Sequence, residues 1–244
     1  MHSGPIQFAI QTPDVDTASH VASALARGLP EADGLIVEER LSVVANGPSA
    51  LHLNAPTGPL LAVNGALRLF RGCGPTYWAA CDPQRLVADF LDDPPEGTKY
   101  LIASKCHPDV FDRLRDREVY IWHVEDRETA HLNPVPTAVS ITLCAIQLFA
   151  RLGVKRFDTW GWDGCYFDGR SHAAQQAHNV NDRMIQVGPA IYHTTPTWAA
   201  EADDACQLFI GADYGVKVHG GGMFGAILDY RRSSRANETI AHLR

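Results

Sequence analysis

The chain of 244 residues has no Cys-x-x-Cys pair, no secretory leader pattern and no apolar run near the roughly 18 residues of a membrane span. Each absence removes a class of protein. Its six cysteines, Cys73, Cys81, Cys106, Cys144, Cys165 and Cys206, are widely spaced, several of them inside apolar runs. That spacing argues against a zinc site and for reduced, mostly buried thiols in a cytoplasmic protein. Internal repeats, low-complexity tracts and a linker are also missing. The expectation is one nucleotide-binding domain over 1–244, with 188–244 as a lid or acceptor-side subregion. Positive charge is in short supply: 21 basic against 28 acidic residues give a net charge of -7. Such a balance disfavours a nonspecific coat on nucleic acid and leaves room only for a local basic groove. At 45% hydrophobic and 20% charged, the composition is that of an ordinary globular protein.

What is present is organised around Leu41-Ser-Val-Val-Ala-Asn-Gly-Pro-Ser-Ala50. Leu41 to Val44 read as a buried strand that runs straight into Asn46-Gly47-Pro48-Ser49. Gly47 is able to leave backbone amides uncovered, Pro48 sets the turn, and Ser49 offers a hydroxyl and a cap. A strand ending in such a turn is a place where open α/β sheets bind phosphate, although the same four residues also make a plain tight turn.

The rest of the chain alternates strand with helix. A helix is expected over 14–27, strands at 59–63, 76–81, 99–103, 118–122, 155–160 and 215–219, and a short helix at 64–70. Further helices are expected from Pro83, with Leu86, Phe90 and Leu91 facing inward, from His107 to Leu114, over 136–152, over 171–187 and over 197–208. This rhythm predicts an open, mostly parallel, Rossmann-like α/β sheet with helices on both faces. Gly220-Gly-Gly222 reads as a flexible loop and the basic tail as peripheral.

In such a sheet, ligands gather at the carboxyl ends of the strands. There the sequence delivers Asn46 to Ser49, Asn64, Asp82, Ser104 and Gly161-Trp162-Asp163. An Asn amide both donates and accepts, which suits a base or a ribose. Asp82 suits a divalent cation, a ribose hydroxyl or the cap of the next helix. Among the tryptophans, Trp162 in its glycine-flanked loop is the one suited to stacking; Trp78, Trp122, Trp160 and Trp198 read as core. His172 and His178 are too far apart on one helix to share a metal, but a single histidine suits deprotonation of an acceptor hydroxyl. Tyr166 is a candidate donor to a departing phosphate.

Val43-Val-Ala-Asn-Gly-Pro-Ser49 followed by Ala62-Val-Asn64 resembles the nucleotide-binding loop and following Asn of the small bacterial sialyltransferases. The resemblance continues through Pro136-Thr137, Ala150-Arg-Leu-Gly-Val-Lys-Arg-Phe157, Gly161-Trp-Asp163, Ser171-His172 and Ala177-His-Asn-Val-Asn-Asp182. It implies a nucleotide-sugar donor bound with no required metal, His178 as the base, and Asn46, Ser49 and Asn64 on the nucleotide. The same stretches, with Pro75-Thr-Tyr-Trp-Ala-Ala-Cys-Asp82, also resemble the 6-hydroxymethylpterin diphosphokinase-like family. Two features depart from the usual pattern: Ala45 stands before the first Asn and Val63 before the second.

The leading expectation is a glycosyltransferase whose acceptor is a glycan, a metabolite or a hydroxymethylated DNA base, with DNA disfavoured by charge, no membrane contact and a homo-oligomer open. Gly47 amides and Tyr166 would stabilise the leaving phosphate. The alternatives are ATP-dependent phosphoryl transfer with Mg²⁺ at Asp82, Asp163 being open as a second ligand, and a nucleotide-binding protein without catalysis.

Overall fold

The computed structural model describes residues 16–53, 56, 58–70, 72–174, 183–209 and 211–242, the last nine of these by backbone alone. Nine strands and five α-helices run in the order α1 (Thr17–Leu25), β1 (Arg40–Val44), β2 (Leu60–Val63), β3 (Tyr77–Ala80), β4 (Lys99–Ala103), α2 (Pro108–Arg113), β5 (Glu118–Trp122), α3 (Ile141–Arg151), β6 (Arg156–Trp160), β7 (Arg183–Val187), β8 (Ala190–Thr194), α4 (Pro196–Leu208), β9 (Gly215–Val218) and α5 (Met223–His242) among the described residues. Seven strands form one sheet in the order β5-β4-β3-β2-β1-β6-β9, and every pairing in it is parallel. This is the open Rossmann-like α/β arrangement. β7 and β8 pair separately as an antiparallel hairpin.

β2 and β3 are buried along their whole length, as continuous apolar runs in a doubly covered sheet must be, and β1, β4 and β6 along most of theirs. Successive side chains serve opposite faces. Tyr77 meets Phe149 of α3 with ring centroids 5.1 Å apart, while Trp78 turns the other way onto Tyr100 at 5.9 Å. No described helix is long and apolar enough to cross a membrane.

Several expected boundaries move. The helix expected over 136–152 starts at Ile141, because Val135 pairs with Val124 and Ser140 adopts extended backbone and caps the helix through Leu143 N. The helix expected over 171–187 is contradicted at both described ends: 171–174 is not helical and 183–187 is a strand. Ile185 and Val187 are β-branched, and Gly188, at φ 58°, supplies the positive φ that a two-residue hairpin turn demands. The segments at 64–69 and 85–91 are 3-10 rather than α helical, and Leu86 points to solvent instead of inward. Trp78 and Trp122 are core; Trp160 and Trp198 are only half-buried. Five of the six free cysteines are buried and Cys73 is exposed.

The order of strands has one reversal. From β1 the chain steps through β2 to β5 on one side, then crosses back so that β6 lies on the other side of β1. The loops leaving β1 and β6 therefore part at their carboxyl ends, which is where open α/β sheets form a crevice.

Candidate active site

The crevice between β1 and β6 is a cleft of about 150 Å³, open to the surface. Its lining includes Asn46 and Gly47 after β1, Asn64 after β2, Ser140 to Thr142 at the start of α3, Gly161 to Cys165 after β6, His172, Trp198 and Glu201 on α4, and Phe224 on α5. Of the rim expected at residues 46–49, 64 and 161–163, the cleft brings together 46–47, 64 and 161–163, while Pro48 and Ser49 are not in its lining. A larger cavity of about 630 Å³ lies at the amino ends of β3 and β4, between Arg68, Phe90, Glu96 and Arg117. Its guanidinium groups are held by the chain itself, Arg68 on the Asp89 carbonyl at 2.6 Å and Arg117 on the Pro94 carbonyl at 3.2 Å. We therefore place the functional site at the cleft.

The glycine turn is built differently from the expectation. Gly47 N donates to Gly161 O at 2.7 Å, and Ser49 N donates to Asp163 Oδ2 at 2.9 Å. The Ser49 hydroxyl accepts from Gly161 N at 3.0 Å. The amides expected to receive a phosphate are engaged by the loop after β6. A Cβ on Gly47 would lie 2.4 Å from Gly161 O and 2.5 Å from Asp163 Oδ2, so the absence of a side chain serves the contact between two loops. Gly161, at φ 65°, needs glycine for its conformation and for its approach to the Ala45 carbonyl. Gly47, rather than Ser49, is the residue that precedes the 3-10 turn over Pro48–His52, and Pro48 opens that turn.

Asp163 is 2% exposed and its Oδ1 meets no hydrogen-bond donor among the described residues. Burial pushes its carboxyl above the usual range, against the opposing pull of its bonds from Ser49. The Gly220–Gly222 run packs under it: a Cβ on Gly222 would fall 2.6 Å from Asp163 Cα, and Phe224 N donates to Asp163 O at 3.2 Å. This run is a fitted support, not a free loop.

Asn46 faces the same way but holds the chain. Its Nδ2 donates to Ala174 O at 3.0 Å, its Oδ1 accepts from Ala174 N at 2.9 Å, and its own carbonyl accepts from Ala173 N at 2.7 Å. Asn64 sits at φ 45°, a left-handed conformation that its short amide tolerates. Its carbonyl accepts from Trp78 Nε1 at 2.9 Å, and its Oδ1 is buried with no donor among the described residues.

Glu201 went unnoticed in the sequence. It is 5% exposed, and two donors converge on its Oε1: Trp162 Nε1 at 2.6 Å and the Ser140 hydroxyl. Burial pushes its carboxyl up to about 7, while those two hydrogen bonds pull down and Asp204 pushes further up. The available signal was a carboxylate at helical spacing between Trp198 and Ala205, on the inward stripe of α4. Trp162, expected as a stacking platform, is instead 3% exposed and held between Phe209 and Phe224.

His172 lines the cleft, hydrogen-bonded to the Ser171 hydroxyl at 2.9 Å with Trp198 6.3 Å from its ring. Tyr166 packs against His193 and Trp198, with centroids at 4.8 and 5.4 Å, and is not among the described residues that line the cleft. His178 lies outside the described residues. Asp82 is also away from the lining: its Oδ1 accepts from Gln84 N at 2.8 Å in a turn, and it does not cap the helix expected from Pro83, since the 3-10 segment starts at Arg85 with Gln84 as its N-cap. Asp82 and Asp163 are therefore not neighbours across the cleft. No group of three His, Cys, Asp or Glu among the described residues is arranged to hold a metal.

The fold has a solved counterpart. The chain is similar to a structure described as the MAf glycosyltransferase from Magnetospirillum magneticum AMB-1, with a TM-score of 0.58 and 11% identity, over 90% of this chain and 41% of that one. At that identity the likeness is one of fold, and this chain spans well under half of the other's length. No protein-family model and no curated protein matches the chain.

Proposed function

We propose that the protein is a glycosyltransferase that moves a sugar from a nucleotide-sugar donor to a hydroxyl acceptor. The observation that carries the reading is the convergence of Asn46, Asn64, Gly161 to Asp163 and the start of α3 on one crevice at the strand-order reversal. The fold likeness to a glycosyltransferase supports it. A volume of about 150 Å³ is below the roughly 300 Å³ of a typical ligand pocket and suits one ring, so the rest of the donor would lie over the mouth.

With the amides of Gly47 and Ser49 engaged, the backbone donors in the best position for the leaving phosphate are those of Ile141 and Thr142, at the positive end of α3. Asn64 would meet the ribose or the base. Asn46, Pro48, Ser49 and Asp163 would act on the nucleotide through the shape of the rim. Tyr166 would be a donor to the leaving phosphate; the resemblance implies His178 as the base, a role argued below for a residue that lines the cleft. No metal is required in this reading. The acceptor is a hydroxyl of a glycan or small metabolite ahead of a modified DNA base, given the net charge of -7.

Isothermal titration with CMP, UDP, GDP and ATP tests it. Binding of one pyrimidine or guanine nucleotide, followed by release of that nucleotide from its sugar conjugate, is the expected result. Binding of none of the four removes the reading.

A further inference from the structure

Two of the cleft's buried carboxyls differ in what they touch. Asp163 has one oxygen on Ser49 N and the other sealed from solvent. In Glu201, both donors reach Oε1, so Oε2 is the oxygen left to face a ligand. We propose that Glu201 is the catalytic base that takes the proton of the acceptor hydroxyl, with Trp162 and Ser140 as its positioning residues. The assignment rests on the glycosyl-transfer reading above. In the step, the acceptor oxygen forms its bond to the anomeric carbon as the bond from that carbon to the phosphate oxygen breaks. The bonding pair leaves on the phosphate, and the hydroxyl proton passes to Glu201 Oε2.

The surroundings suit a carboxyl that gains and loses a proton near neutral pH. Burial raises it to about 7. Asp204 on the same helix adds to that rise. Asp163, Cys165 and His172, the one basic side chain among the described lining residues, share the cleft with it, and Cys144 of α3 interacts with it electrostatically. Ser140 both caps α3 and donates to Glu201, so the carboxylate lies beside the positive end of that helix. The Trp162 indole cannot swing away, being wedged between Phe209 and Phe224.

The experiment has an arm that needs no substrate. The indole N–H resonance of Trp162, assigned with W162F, is followed from about pH 5 to 9 in wild type and Glu201→Gln. A midpoint near 7 in wild type that vanishes in the variant is expected. The second arm measures donor turnover over the same range, with whichever nucleotide sugar the calorimetry selects. Turnover should climb to a plateau through the same midpoint. Glu201→Gln should lose about 10²–10⁴-fold in kcat with nucleotide Kd unchanged, and Glu201→Asp should recover part of it. Ser140→Ala, which removes one donor to the anion and covers the case of a Glu201→Gln protein that does not fold, should move the midpoint up.

An active wild type whose Glu201→Gln form retains kcat within about threefold, or keeps the pH limb, overturns the assignment and leaves glycosyl transfer standing. So does a Trp162 resonance that does not titrate. A wild type that binds a nucleotide and turns over none of its sugar conjugates overturns both.

Discussion

Ser49 and Asp163 lock the two loops of the crevice together: the Ser49 amide donates to Asp163 Oδ2 at 2.9 Å while the Ser49 hydroxyl accepts from Gly161 N at 3.0 Å. An aspartate thus occupies the position over a turn of amides where an anionic ligand was expected. Removing its acceptor exposes the cost. Asp163→Ala leaves a buried Ser49 N–H unpaired and should lose about 1–3 kcal/mol. Asp163→Asn keeps an acceptor without the buried charge and should retain most of that stability. Urea unfolding at pH 7 compares the two; equal losses would show that the Ser49 contact contributes little.

Gly47→Ala tests the close approach of the loops. With a Cβ 2.4 Å from one backbone oxygen and 2.5 Å from a carboxylate, neither of them a flexible side-chain tip free to move, the strand ends must part. A loss of about 1–3 kcal/mol is expected, a drop of several degrees in Tm for a domain of this size. Calorimetric melting measures it. An unchanged Tm would mean that the rim relaxes freely.

Glu201 makes stability depend on pH. Its carboxyl is raised in the folded protein to about 7 from an ordinary 4.5, so the native state holds the proton more tightly than the unfolded chain does. That stabilisation is full below about 4.5 and is lost as pH rises through about 7. The stability of wild type relative to Glu201→Gln should therefore fall across this window, by at most on the order of 3 kcal/mol, and level off above it. Denaturant titrations at a series of pH values would show it; a flat difference would place Glu201 in water.

Asn46→Ala removes both hydrogen bonds that fasten residue 174 to the end of β1. At about 0.5–1.5 kcal/mol each, their loss should loosen the segment after His172 more than it lowers global stability. Hydrogen exchange read by mass spectrometry should rise at Ala173 and Ala174, and donor turnover should fall with it. Unaltered exchange there would show that the segment is fastened by other groups.

The sheet was legible because its strands are short, continuous apolar runs ended by turn residues, a pattern that depends little on distant partners. Position at the strand ends was legible for the same reason, and it brought Asn46, Asn64 and Gly161 to Asp163 into one cleft. Role was not. A glycine that lets a phosphate approach and one that lets another loop approach are the same residue in a sequence, and only the Gly161 oxygen beside Gly47 tells them apart. The hairpin at 183–194 was hidden by preceding helix formers, since its turn depends on Gly188 at positive φ. Glu201 was hidden because a carboxylate among alanines reads as a solvated position until Trp162 and Ser140 are seen to meet it.

The reversal of strand order also sets when the cleft comes into being. β1 to β5 comprise one flank of the sheet and are complete by Trp122, whereas β6 begins only at Arg156. A ribosome emitting this chain releases β1 with one edge bare for the time needed to make the intervening residues, and no crevice exists until β6 docks there. Until that moment the nascent protein has a sheet without its cleft, and β1 is the strand that a chaperone, or a wrong partner, would find first.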